Sequence, residues 1–73
     1  MQHTVVAELV ASVLNVHVAP GDTVQPLDEV VVLESMKMEI PVLAEVTGTV
    51  AEVVVNVGDV VHEGDPLVLV TIA

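Results

Sequence analysis

Glu34-Ser35-Met36-Lys37-Met38-Glu39 contains the only Lys or Arg of the 73-residue chain, and Lys37 stands at its midpoint with 36 residues on either side. One strand should end near Glu34 and the next begin near Glu39, which leaves Lys37 to cap an exposed hairpin. The Met-Lys centre conflicts with the Asn-Gly or Asp-Gly that two-residue primed turns prefer. Breaches of local rules are expected at functional sites.

Working outward, the chain resembles itself at a shift of 37. Val13, Val16, Val18, Gly21, Asp22, Val24, Asp28 and Val31 return as Val50, Val53, Val55, Gly58, Asp59, Val61, Asp65 and Val68. Met1, Val5, Ala7 and Glu8 return as Met38, Val42, Ala44 and Glu45, which makes 12 identities in 36 aligned pairs. Composition alone would give roughly five, so the chain reads as an internal duplication.

Each half alternates with period two. Leu14, Val16 and Val18 are interleaved with Asn15 and His17, and Ala51, Val53, Val55 and Val57 with Glu52, Val54 and Asn56. These segments predict half-buried strands. Gly-Asp turns at Gly21-Asp22 and Gly58-Asp59 should follow, glycine supplying a positive φ and Asp bonding the local backbone. Further strands are expected at Val30 to Leu33 and Leu67 to Val70. Each half is too small to bury its apolar face alone, so the two are expected to pack face to face as four-stranded units. The result is a flattened barrel or sandwich with quasi-twofold symmetry, with the termini at the pole opposite Lys37.

Composition points the same way. The chain is 53% hydrophobic with no Phe, Tyr or Trp, and its 21 valines favour strands. One domain, near the lower size limit for an unaided core, fills the length. There is no cysteine, which removes disulfides and thiolate chemistry and agrees with a reducing cytosol; a cytoplasmic location is the expectation. No basic leader and no apolar run of about 18 residues suggests a membrane partner. A formal net charge of −10 opposes nucleic-acid binding and favours partners with a basic docking face.

Other chemistry finds little support. His3, His17 and His62 lack zinc-ligand spacing and read as surface residues. Asp59, Glu63 and Asp65 lack the alternation of a calcium loop and read as a solvated turn. Neither Ser12 nor Ser35 lies in a nucleophile motif.

The sextet around Lys37 resembles the attachment signature of biotin carboxyl carrier domains, usually Glu-Ala-Met-Lys-Met. Pro20-Gly21-Asp22-Thr23-Val24, Val46-Thr47-Gly48-Thr49-Val50 and the stretch from Gly58 to Leu67 resemble that family at the expected distances, so residues 1–73 are identified as one biotinyl domain. The resemblance implies an all-β fold: an eight-stranded barrel-sandwich of two four-stranded antiparallel sheets, with biotin joined by an amide to Lys37. It further implies a noncatalytic, free-standing and monomeric carrier, shuttling a carboxyl group between a biotin carboxylase and a carboxyltransferase. A biotin protein ligase would modify it, and Met36 and Met38 would flank the lysine as recognition residues, where methionine otherwise fills core gaps.

Ser35 replaces the usual alanine, Ala11 and Leu27 stand where glycine is common, and Glu45 replaces a common proline. No protruding thumb is present. The rival readings are a lipoyl domain, which shares the architecture but usually has an Asp-Lys-Ala neighbourhood, and a structural interaction module whose lysine is never modified.

Overall fold

A computed structural model describes residues 1–73. The chain forms eight strands and no helix: β1 (Gln2–Val6), β2 (Ala11–Val16), β3 (Thr23–Val24), β4 (Glu29–Ser35), β5 (Met38–Leu43), β6 (Gly48–Val53), β7 (Val60–Val61) and β8 (Pro66–Ile72). Two four-stranded antiparallel sheets, ordered β1-β8-β6-β3 and β5-β4-β2-β7, enclose an aliphatic core that includes Val5, Val13, Val24, Leu33, Val50, Val61, Leu67 and Val70. No polar or charged residue is fully buried, as expected where each strand turns one face inward and one toward water.

The shift of 37 is carried into three dimensions. β2, β3 and β4 map residue for residue onto β6, β7 and β8. Irregularities repeat too: the ladder slips at Leu14 between β2 and β4 and at its mate Ala51 between β6 and β8. It slips again at Val30 between β4 and β5 and at its mate Leu67 between β8 and β1. The sheets are nevertheless not the two halves. Each sheet takes two strands from each half, so the expected packing of one half against the other is replaced by an interleaved arrangement in which neither half is complete.

The slips correct the first residue of each expected alternation, while Val16, Val18, Val53 and Val55 pack inward as expected. A bulge adds one residue and turns the following side chains to the opposite face. Leu14 and Ala51, placed inward by simple alternation, are exposed, while Val13 and Val50 ahead of them are buried. Val57 lies beyond the end of β6 and is exposed as well.

The Gly-Asp turns form as expected. Gly21 and Gly58 adopt φ of 97° and 98°. Asp22 Oδ2 accepts from the Ala19 N–H and Asp59 Oδ2 from the Asn56 N–H, both at 2.9 Å. A second pair of carboxylates, Asp28 and Asp65, closes the next turns by accepting from the Gln25 and His62 N–H groups at 2.8 Å. Asp59 and Asp65 thus serve the backbone of their own turns.

Copy one lacks a glycine at Leu27, the mate of Gly64, and the two turns close differently. Gly64 takes φ of 90° and donates its N–H to the Ala7 carbonyl. At the Leu27 turn it is Glu45, across the contact in copy two, that takes the positive φ, 68°, and donates its N–H to the Pro26 carbonyl.

The chain path fixes the poles. Val24 pairs with Gly48, whose other partner is Ile72 beside the C-terminus. The turn of residues 25–28 then leads straight to Glu29, the end of β4 farthest from Ser35. A seven-residue strand spans about 20 Å, which sets the β4–β5 hairpin and the termini at opposite ends of a body measuring 35 × 18 × 17 Å.

Candidate functional site

The hairpin is built from register outward. Leu33 pairs with Ile40, Glu34 with Glu39 and Ser35 with Met38. Two residues remain to reverse the chain, Met36 at φ of 54° and Lys37 at 63°. Positive φ at both central positions defines a type I′ turn, whose twist matches that of the strands it joins. The sequence conflict at Met-Lys is thus real: two non-glycine residues are held left-handed, at roughly 1–2 kcal/mol each. Pairing of β4 with β5 and burial of Leu33 hold them there. Backbone strain of this kind persists only where surrounding structure over-determines it.

Lys37 is exposed, and no carboxylate lies within ion-pair distance of its Nζ. Met36 and Met38 are 90% and 65% exposed, so neither fills the core. Lys37 is also the one residue without a counterpart in the repeat, because the mates of Met36 and Met38 are the chain ends, Ala73 and Met1.

Comparing the two poles shows what is special at this one. Directly beneath the tip, Val60, Ser12, Glu34 and Glu39 lie in register across their sheet and are all exposed. Their mates at the other pole are Thr23, Thr49, Thr71 and Gln2, in the same register. The backbone is common, but only the lysine pole carries two carboxylates facing each other across strands. Like charges directly opposite destabilise a ladder.

The histidines do not assemble. His17 and His62 are exposed, and His62 Nδ1 lies 3.8 Å from Asp65 Oδ2. His3 departs from its surface reading: its Nε2 is buried without a hydrogen-bond partner, because it occupies the strand position that Ile40 fills in the other copy. That alignment was the available signal. No group of three His, Cys, Asp or Glu side chains is placed to hold a metal ion.

A family model described as biotin-requiring enzyme, of the biotin/lipoyl type, matches residues 1–70. A protein described as a biotinylated protein TB7.3 homolog, from Mycobacterium leprae, is 54% identical over 71 residues, covering 97% of this chain and 100% of its own length. A single-chain, multi-domain long-chain acyl-CoA carboxylase contains a region that superimposes with a TM-score of 0.91 at 32% identity, over 99% of this chain but 7% of that one. The lipoyl domain of the 2-oxoglutarate dehydrogenase complex from Azotobacter vinelandii superimposes with a TM-score of 0.73 at 31% identity, over 92% of this chain and 95% of the domain.

Proposed function

This chain belongs to the biotin/lipoyl attachment family, and from that premise we propose that it is a noncatalytic carrier with biotin joined by an amide to Lys37. One observation carries the reading. The only Lys or Arg side chain of the protein projects, exposed and unpaired, from the two-residue turn at the end of its long axis.

An ordinary lysine amine is protonated at neutral pH, so the reaction needs an enzyme that removes the proton and supplies an activated acyl group. A biotin protein ligase fits. The neutral Nζ attacks the carbonyl of biotinyl adenylate, an amide forms, and AMP leaves. Exposed Met36 and Met38 offer soft apolar contacts to such a partner and to those that follow. Glu34 and Glu39 offer it negative charge.

Once loaded, the domain contributes proximity. Lys37 would hold the biotin on its turn, where that group would supply the means to take a carboxyl group from a biotin carboxylase to a carboxyltransferase, and the tether replaces bimolecular encounter with a local concentration on the order of mM. Acids and bases for both steps reside in those partners.

The test is intact mass after coexpression with a biotin ligase. A single biotinyl addition is expected, lost in Lys37→Arg. An unmodified chain would defeat the carrier reading in favour of an interaction module, and a lipoyl addition would replace the cofactor.

A further inference from the structure

One open groove of about 210 Å³ marks the surface. Val6, Leu9, Ile40 and Leu43 form its apolar walls, and Glu8 and Glu45 are its charged lining residues. We propose that it is a resting site for the biotin ring carried by Lys37 of the same molecule, an inference that rests on the attachment proposed above.

Reach supports it. Ile40 is three residues down the strand from Lys37, about 10 Å at the usual rise. The lysine side chain and the valeryl chain of biotin together supply about ten bonds of about 1.5 Å, an extended span on the order of 12 Å to the ring. Size supports it as well, since the groove is smaller than the roughly 300–1,000 Å³ of drug-sized ligand sites and suits a small bicycle.

The chemistry is complementary. The thiophane ring is apolar and meets aliphatic walls. The ureido group offers two N–H donors to a groove whose side-chain polar groups are the carboxylates of Glu8 and Glu45, which only accept. A ring carrying a carboxylate would lose one donor and bring negative charge against both glutamates. The groove therefore retains the unloaded ring and releases the loaded one.

Asymmetry supplies an independent argument. Glu8 and Glu45 are mates, as are Val6 and Leu43, so they belong to both halves alike. Ile40 and Pro41, on β5 just past the lysine, correspond to His3 and Thr4 in the other copy. The groove extends from those shared residues onto Ile40 and Pro41 of β5, the strand that leads from Lys37, and not onto His3 and Thr4.

Biocytin, the biotin amide of free lysine, tests the site on the unmodified chain. Methyl NMR of Leu9, Ile40 and Leu43 should show saturable shifts with a Kd of about 1 mM, the affinity that half-fills the groove at the local concentration of a short tether. Biotinylating Lys37 should move the same methyls in the same direction. Leu9→Ser should weaken biocytin about fivefold, and Glu45→Gln, which keeps the fold if Leu9→Ser does not, about threefold. Absence of saturable shifts to 20 mM biocytin (about twenty times that Kd), or movement confined to residues 35–39 on biotinylation, overturns the resting site. Failure of Lys37 to accept biotin is read separately by mass and sinks only the attachment.

Discussion

Replacing Met36 with Asn separates the strain of the turn from what the turn presents. Met36 holds φ at 54°, a region that costs a non-glycine residue roughly 1–2 kcal/mol and that Asn enters more readily because its short amide bonds locally. Its side chain is 90% exposed, so little packing is lost. Met36→Asn is expected to stabilise the fold by about 1 kcal/mol, which raises the Tm of a domain this small by about 4–8 °C. Far-ultraviolet circular dichroism or calorimetry follows the transition, since the chain has no aromatic residue from the Phe, Tyr and Trp set. Met36→Val should act oppositely, because a β-branched side chain is least tolerant of positive φ. A Tm for Met36→Asn at or below that of the parent, with Met36→Val no worse, would refute the strained left-handed turn. The same variant should be the poorer ligase substrate: burying a methionine contributes about 1.5–3 kcal/mol, so kcat/KM should fall at least about tenfold. Equal rates of biotinylation would remove Met36 from recognition.

Two further outcomes come from residues that differ between mates. Glu39→Gln, which installs the residue of its mate Gln2, removes the cross-strand repulsion with Glu34; it should add about 0.5 kcal/mol in urea unfolding at low ionic strength. That gain should fade in 1 M salt, where the Debye length is about 3 Å, and a gain insensitive to salt would contradict its electrostatic origin. His3→Ile installs the residue of its mate Ile40 and removes a buried, unpartnered Nε2. Leaving such a group unsatisfied costs about 1–3 kcal/mol, so the urea midpoint should rise by an amount worth about 1 kcal/mol; a lower midpoint would mean that His3 makes a contact the apolar side chain cannot replace.

The hairpin was legible because two independent signals met at one residue, the repeat length and the lone lysine. Gly21, Asp22 and their mates were legible because the turn they form demands a positive φ and a local acceptor. The bulges at Leu14 and Ala51 were not, since an extra residue leaves no mark in the string, although the phase beyond them was, with Val16, Val18, Val53 and Val55 packed inward as expected. β3 and β7 are two residues long, too short for any period to register. Interleaving of the sheets was hidden for a different reason. A repeat states that two segments are alike and says nothing of which segment each strand pairs with. His3 and Glu45 were visible in principle, as an apolar residue replaced by histidine and a turn missing its glycine, but the second required knowing that strain absent from Leu27 would reappear across the contact at Glu45.

A duplicated fold contains its own control. Where mates share backbone geometry, a residue found in only one copy is not demanded by that geometry. Gly48 illustrates the converse, a demand peculiar to one copy: a Cβ there would overlap the Thr71 carbonyl oxygen, whereas its mate Ala11 fits its own surroundings. The row Val60, Ser12, Glu34 and Glu39 falls in the first class, because Thr23, Thr49, Thr71 and Gln2 satisfy the same ladder without exposed valine or facing carboxylates. Folding alone would favour the neutral row at both poles. The pole that departs from it is the pole bearing Lys37, with its two exposed methionines and its two left-handed residues. The exposed valine, the facing carboxylates and the two left-handed residues, gathered within one hairpin and its neighbouring strands and absent from the matching end, are not demanded by the shared ladder, and they support the proposed carrier over a purely structural module.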